Sequence, residues 1–144
     1  MKRFSVVALA ALAVAVAFAV PASATPSTTE TFSLLRAFPG GPPTTWSATG
    51  SFADSGAWRV DNLIAGGFPA PTEFAVNFFT TLSSPSGTIS MRFLLEGNQS
   101  QAQDHCWIVR GTGAYTNLRG HGTFTLQIIG DRPHIDCTAA VHFD

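Results

Sequence analysis

Apolar and polar residues alternate with period two through most of the chain beyond residue 30. Trp46, Ala48, Gly50 and Phe52 interleave with Thr45, Ser47, Thr49 and Ser51. Ile89, Met91, Phe93 and Leu95 share one parity, as do Ile135, Cys137, Ala139, Val141 and Phe143. That period belongs to strands with one buried face, and no long stripe of period 3.6 calls for a helix. Clusters of Gly, Pro, Ser and Asp punctuate the runs. The pattern predicts eight strands: Thr31–Phe38, Thr45–Ala53, Ala57–Ile64, Glu73–Leu82, Thr88–Glu96, His105–Arg110, Gly122–Ile129 and His134–Phe143.

The connections are read from the breakers. Pro39-Gly40-Gly41-Pro42-Pro43 ends the first strand, and Asp54-Ser55-Gly56 reads as a tight hairpin turn. A loop with Gly66, Gly67, Pro69 and Pro71 follows the third strand; Ser84-Pro85-Ser86-Gly87 follows the fourth. Gly97 to Asp104 reads as a polar loop, and Gly130-Asp131-Arg132-Pro133 as the last turn. Strands of this length joined mostly by short turns predict an all-β, eight-stranded antiparallel up-and-down barrel. An open sandwich is the alternative, because alternation alone does not reveal closure.

The barrel accounts for residues 31–144. Residues 1–24 have a different character: Lys2 and Arg3, an apolar run from Phe4 to Val20, then Pro21-Ala22-Ser23-Ala24. This reads as a secretory signal peptide cleaved after Ala24, with an uncleaved anchor as the alternative. Residues 25–30 read as a flexible polar lead. The expected mature domain is secreted or extracytoplasmic and makes no membrane contact after cleavage. It carries six arginines and no lysine against nine acidic residues, net charge −3. Schiff-base and Walker lysines are thereby excluded, and a basic footprint for nucleic acid is missing.

Two cysteines, Cys106 and Cys137, most simply form one disulfide in an exported chain, with two buried free thiols as the alternative. On a flat meander their strands flank the seventh, about 9.5 Å apart, which is too wide for a bridge across the sheet. The bridge is therefore expected at the rim, with the Gly97–Asp104 loop bent inward.

The richest local signal is Gly111-Thr112-Gly113-Ala114-Tyr115, followed by Arg119-Gly120. Gly111-x-Gly113 lacks the third glycine of a dinucleotide fingerprint and precedes a strand, so it is read as a structural turn with Tyr115 as a plug. Arg119 is read as a brace for the turn, able to pair with a carboxylate. With Asp54-Ser55-Gly56 and the Trp107-Ile108-Val109 strand, this turn resembles that of dirigent proteins and allene oxide cyclases. It is still closer to bacterial exported proteins with the allene oxide cyclase barrel-like domain. The resemblance covers most of the expected mature chain in strand order, but only about 20 residues at motif level. It implies a calycin-like eight-stranded barrel and a homo-oligomer, a trimer in the plant relatives. The bacterial members mostly have no assigned activity, and no carboxylate here aligns with the plant enzymes' catalytic acids.

Among the chain's own residues, Asp61, Glu73, Glu96 and Asp136 are the candidates for acid–base work, as strand carboxylates that burial would raise in pKa. The competing reading exposes them or pairs them with Arg59, Arg92 or Arg110. His105, His121, His134 and His142 offer imidazoles, but only His134 and Asp136 are near one another. No metal or cofactor is expected, because zinc takes three or four converging ligands. No Gly-x-Ser-x-Gly elbow is present, and Asn98-Gln99-Ser100 fits a glycosylation sequon. The leading expectation is a non-enzymatic barrel that binds a small hydrophobic ligand. The alternatives are an isomerase or cyclase acting on an unsaturated lipid-like substrate, and a structural or surface-interaction domain with a filled core.

Overall fold

In a computed structural model of the chain, the described residues are 26–36, 44–65, 73–98, 101–130 and 132–144. Residues 1–25, most of which read as a leader in the sequence, residues 37–43 with the proline-rich run, residues 66–72, Gln99, Ser100 and Asp131 lie outside them. Eight strands form one closed antiparallel barrel in chain order: β1 (Thr28–Leu35), β2 (Thr45–Gly50), β3 (Asp54–Ala65), β4 (Glu73–Ser84), β5 (Gly87–Asn98), β6 (Gln101–Gly111), β7 (Leu118–Ile129) and β8 (Arg132–Phe143). Closure comes from β1 and β8, paired from Thr28↔Val141 to Leu35↔His134. The barrel, rather than the sandwich, is the architecture.

Alternation along each strand fills the interior. Phe32, Leu34, Leu82, Ile89, Met91 and Phe93 are fully buried. Trp46 and Trp58 are buried too, and each places its indole N–H on a backbone carbonyl: Ser83 at 3.1 Å and Leu35 at 3.0 Å. Those bonds satisfy the one polar atom of an otherwise apolar side chain.

The structure moves several expected boundaries. Residues 28–30 are not a loose lead but the start of β1, laddered to β8. Glu30 there is fully buried, and its Oε2 accepts from Ser51 N at 2.8 Å, Ser51 Oγ at 2.9 Å and Phe52 N at 3.3 Å. That carboxylate holds the β2–β3 turn at residues 51–53, so Asp54-Ser55-Gly56 opens β3 instead of forming the turn. The stretch from Gly97 to Asp104 is mostly strand, because its backbone continues the β5–β6 ladder through Leu95↔Asp104 and Gly97↔Ala102. Backbone bonds hold such a ladder whatever the polarity of the side chains. Likewise β7 begins at Leu118, four residues before the expected Gly122.

The glycine-rich segment closes one end, here the lower one. A single 3-10 turn, Gly113–Tyr115, follows β6 and packs on the β4–β5 turn, with Ala114 N donating to Ser86 O at 2.9 Å. Gly113 has φ +61°, and a Cβ there would lie 2.4 Å from Ser86 O. Glycine is thus required both by conformation and by space. Tyr115 is buried beside Phe52, ring centroids 5.4 Å apart, and its hydroxyl donates to Asp54 Oδ2. Ser84 Oγ donates to the same oxygen at 2.6 Å. These hydroxyls, Ser84 first, hold the Asp54 carboxyl at about 2.

Cys106 and Cys137 are joined in a disulfide, with Cα atoms 6.5 Å apart. It does not sit at the rim. Both cysteines are fully buried in mid-strand and face inward, and the bridge crosses the inside of β7 from β6 to β8. The flat-sheet spacing fails because the wall is curved, which brings inward side chains of next-nearest strands together. At that level β7 carries Gly122, paired to both Cys106 and Ala139. A Cβ on Gly122 would lie 1.9 Å from Thr138 O, so glycine lets β7 pass close to β8.

Two outcomes follow. The bridge spans 31 positions, so replacing both cysteines by alanine costs about 3–4 kcal/mol in urea unfolding; a loss under about 1 kcal/mol contradicts this role. Tyr115→Phe costs about 1–2 kcal/mol at neutral pH by losing a hydrogen bond to a carboxylate. Asp54 is more acidic folded, at about 2, than its ordinary 3.8. Its contribution is complete above 3.8 and is lost as pH falls through about 2. Acid unfolding of Asp54→Asn therefore lacks that segment of the profile.

Candidate functional site

The two ends of the barrel differ in filling. Near mid-height three inward phenylalanines make an aromatic floor. Phe78 stacks on Phe93 at 4.9 Å, and Phe124 meets Phe93 and Phe78 edge-on at 5.1 Å and 6.1 Å. Offset and edge-to-face contacts of this kind fix ring positions as well as burying area. Above the floor the inward register positions stay apolar but are no longer buried. Leu63 pairs with Phe78 and is 60% exposed; Leu126 pairs with Ile135 and is 44% exposed; Ile128, two residues on, is 66% exposed. Lower on β3, Val60, opposite buried Thr80, is 37% exposed.

The ladder explains why this half is looser. Among the described residues β6 and β7 pair only from His105↔Thr123 to Ile108↔Gly120, and β2 and β3 only from Thr45↔Ala57 to Ala48↔Asp54. Above those pairs the β3–β4, β5–β6 and β7–β8 hairpins rise with fewer lateral bonds. Among the described residues this leaves inward apolar positions uncovered above the aromatic floor, a region called the cup below.

One carboxyl faces into the cup wall. Asp104 on β6 has the parity of Cys106 and Ile108 and stands opposite Leu95. Its Oδ1 is buried with no hydrogen-bond partner. Burial raises its pKa above 3.8, against a smaller opposing effect of His105. A carboxyl so placed favours its neutral form, which can donate a hydrogen bond or a proton. Thr80 Oγ1, on β4 below the cup, is also buried without a partner.

The expected acids lie elsewhere. Asp61 is on the outer wall, where it accepts from Arg59 Nε at 2.7 Å and Thr81 Oγ1 at 2.5 Å. Those bonds, Thr81 first, lower its pKa. Asp136 is also outside, accepting from Ser33 Oγ and lying 3.3 Å from His134 Nε2. Glu96 is exposed on the outward parity of β5, and the Glu73 side chain lies outside the described residues. None of the three described carboxylates is an interior acid, because each sits one position out of phase with the buried face. Asp104 is not among the expected acids because the polar composition of Gly97–Asp104 reads as a loop. Extending the Cys106–Ile108 alternation back by two residues would have found it.

Comparisons of the chain with protein-family models, with curated proteins and with solved structures find no match. The residues themselves therefore carry the functional reading. Gly111 ends β6, Gly113 and Tyr115 form the lower plug, and Gly120 lies in β7. Arg119 braces the chain's end, with Nε 3.7 Å from Asp144 Oδ2 and Nη1 donating to Leu118 O at 2.9 Å. The turn's residues thus lie at the opposite end from the cup. His142 faces Asp144 at 3.2 Å, His121 is exposed and His105 lies against Trp107. Among the described residues no group of three or more His, Cys, Asp or Glu side chains could hold a metal.

Because the folded Asp104 binds its proton more tightly than the unfolded chain does, its contribution favours the fold at low pH and is lost as pH rises from 3.8 through the raised value. The stability of Asp104→Asn relative to the parent protein accordingly increases with pH across that window in urea titrations. A difference that stays constant with pH contradicts the raised affinity of Asp104 for its proton.

Proposed function

We propose that the upper half of the barrel binds a small, largely apolar molecule that carries one polar group. The observation that carries this reading is the set of inward-facing, solvent-exposed Leu63, Leu126 and Ile128 above a rigid phenylalanine floor. Apolar surface left uncovered on an inward wall is stabilised when a ligand removes it from water. Asp104, with an unpartnered buried oxygen, supplies the one polar contact that orients the ligand. The disulfide supports an exported protein, since such bridges persist in oxidising compartments.

The resemblance to allene oxide cyclase-like and dirigent-like proteins fits this reading in architecture, while activity does not follow from fold. A second reading rests on Asp104 itself. A half-buried carboxyl with one unpartnered buried oxygen and a raised pKa is the kind of group an isomerase or cyclase would use to move a proton on a bound unsaturated molecule.

Titration with the neutral dye 1-aminoanthracene tests the first reading. Saturable fluorescence enhancement is expected, weakened about tenfold or more by Leu126→Glu, which puts a charge in the cup, and unchanged by Thr138→Glu on the outer wall of β8. Lack of saturation, or equal effects of the two variants, overturns it. The readings separate at Asp104→Asn: the binding reading keeps dye uptake, whereas the catalytic one also predicts loss of turnover of an unsaturated ligand recovered by native mass spectrometry.

A further inference from the structure

The outer wall carries a second concavity unconnected with the reading of the cup. A groove of about 640 Å³ runs over β3 to β7. Its central row follows from the ladder: Arg59 pairs with Thr81, Thr81 with Ser90, and Ser90 with Arg110. Two arginines thus bracket two hydroxyls across four strands, about 14 Å from end to end at ordinary strand spacing. One position beyond the Ile108↔Gly120 pair, Arg119 enters the groove beside Val109. Phe79, half-buried, adds an apolar surface at the adjacent row.

Two features set this groove apart from an ordinary solvated sheet face. Both register breaks among the described strand pairs flank it: Asp61 is the extra residue on β3 and Val109 the extra residue on β6. A bulge re-aims side chains that regular alternation would send inward. Here the β6 bulge turns Arg110, which has the parity of Cys106 and Ile108, to the outer side next to Val109, and the β3 bulge does the same for Asn62, next to the already outward Asp61. Charge is also concentrated there. Three of the six arginines beyond the leader line one groove of a chain that is otherwise acidic. Asp61 neutralises Arg59 and fixes its orientation at 2.7 Å. Arg119 has only a long contact with Asp144, 3.7 Å, and Arg110 has no ion pair among the described residues. The uncompensated charge therefore lies at the β6–β7 side.

We propose that this groove binds a small molecule with an anionic oxygen head group and an apolar body. Arg110 and Arg119 take the oxyanion, for which a guanidinium offers a planar fork of donors. The Ser90 hydroxyl adds a donor from the floor, and Phe79 and Val109 cover the apolar body. Phosphate, sulfate and carboxylate share this chemistry and differ in charge and geometry.

The test is an NMR titration of the ¹⁵N-labelled protein with phenyl phosphate, phenyl sulfate and benzoate, which present three head groups on one ring, and with neutral benzyl alcohol. Saturable shifts are expected at Ser90, Val109, Arg110 and Arg119 for at least one anion, and the strongest binder identifies the head group. Arg110→Gln weakens that binding about tenfold, and Arg119→Gln does so as well. Arg132→Gln, on β8, leaves it unchanged. The proposal is overturned by shifts that never saturate, by equal binding of benzyl alcohol, by equal effects of Arg110→Gln and Arg132→Gln, or by shifts centred on Asp104 and Leu126 in the cup.

Discussion

The pairing of β1 with β8 is the constraint on which the other features depend. Eight residues of each strand face one another from Thr28↔Val141 to Leu35↔His134, and with that seam made the sheet has no free lateral edge along its lower half. Closure turns alternation into a division between inside and outside, so each strand's parity decides which residues share the core. It also supplies the curvature that lets Cys106 and Cys137 meet across the inside of β7 at a Cα separation of 6.5 Å. A flat sheet with the same strand order would keep them apart.

The lower end is over-determined. Glu30 caps the β2–β3 turn, Tyr115 reaches Asp54, and Ser84 holds the same carboxylate. Three connections are tied by side-chain bonds that backbone pairing does not provide. The upper end has the reverse character, with short β2–β3 and β6–β7 ladders and apolar side chains facing water above the phenylalanine floor. Side-chain bonds are thus gathered at one end, and uncovered apolar surface lies at the other. Such a separation lets a barrel vary its cup without loosening its plug.

The outer groove follows from a different deviation. Regular strands would keep the residues on either side of positions 61 and 109 on one face, and the two bulges part them, leaving Val60 and Ile108 inward while Asn62 and Arg110 turn to the same outer side of the wall. Asp61, considered as an acid from sequence alone, acquires a different part there: it stays ionised beside Arg59 and Thr81 and orders the groove.

The architecture was legible in the sequence because period-two alternation and glycine–proline punctuation are local signals. They suffice for eight strands, the inward faces of β2, β5 and β8, and the plug role of Tyr115. A lone cysteine pair in a chain with an export-like leader likewise pointed to the bridge. What remained was settled by contacts between residues far apart in sequence. Asp104 was lost because a polar stretch looks like a loop until its backbone is seen paired with β5. Asp61 and Asp136 looked like candidate acids because the side of a strand that becomes interior is chosen by closure and bulges. The sequence by itself determined the elements and their patterning, since those depend on neighbours one to a few residues away. Only the tertiary structure decided which carboxyls turn inward, where the bridge crosses and which arginines converge, since those depend on register around the whole barrel.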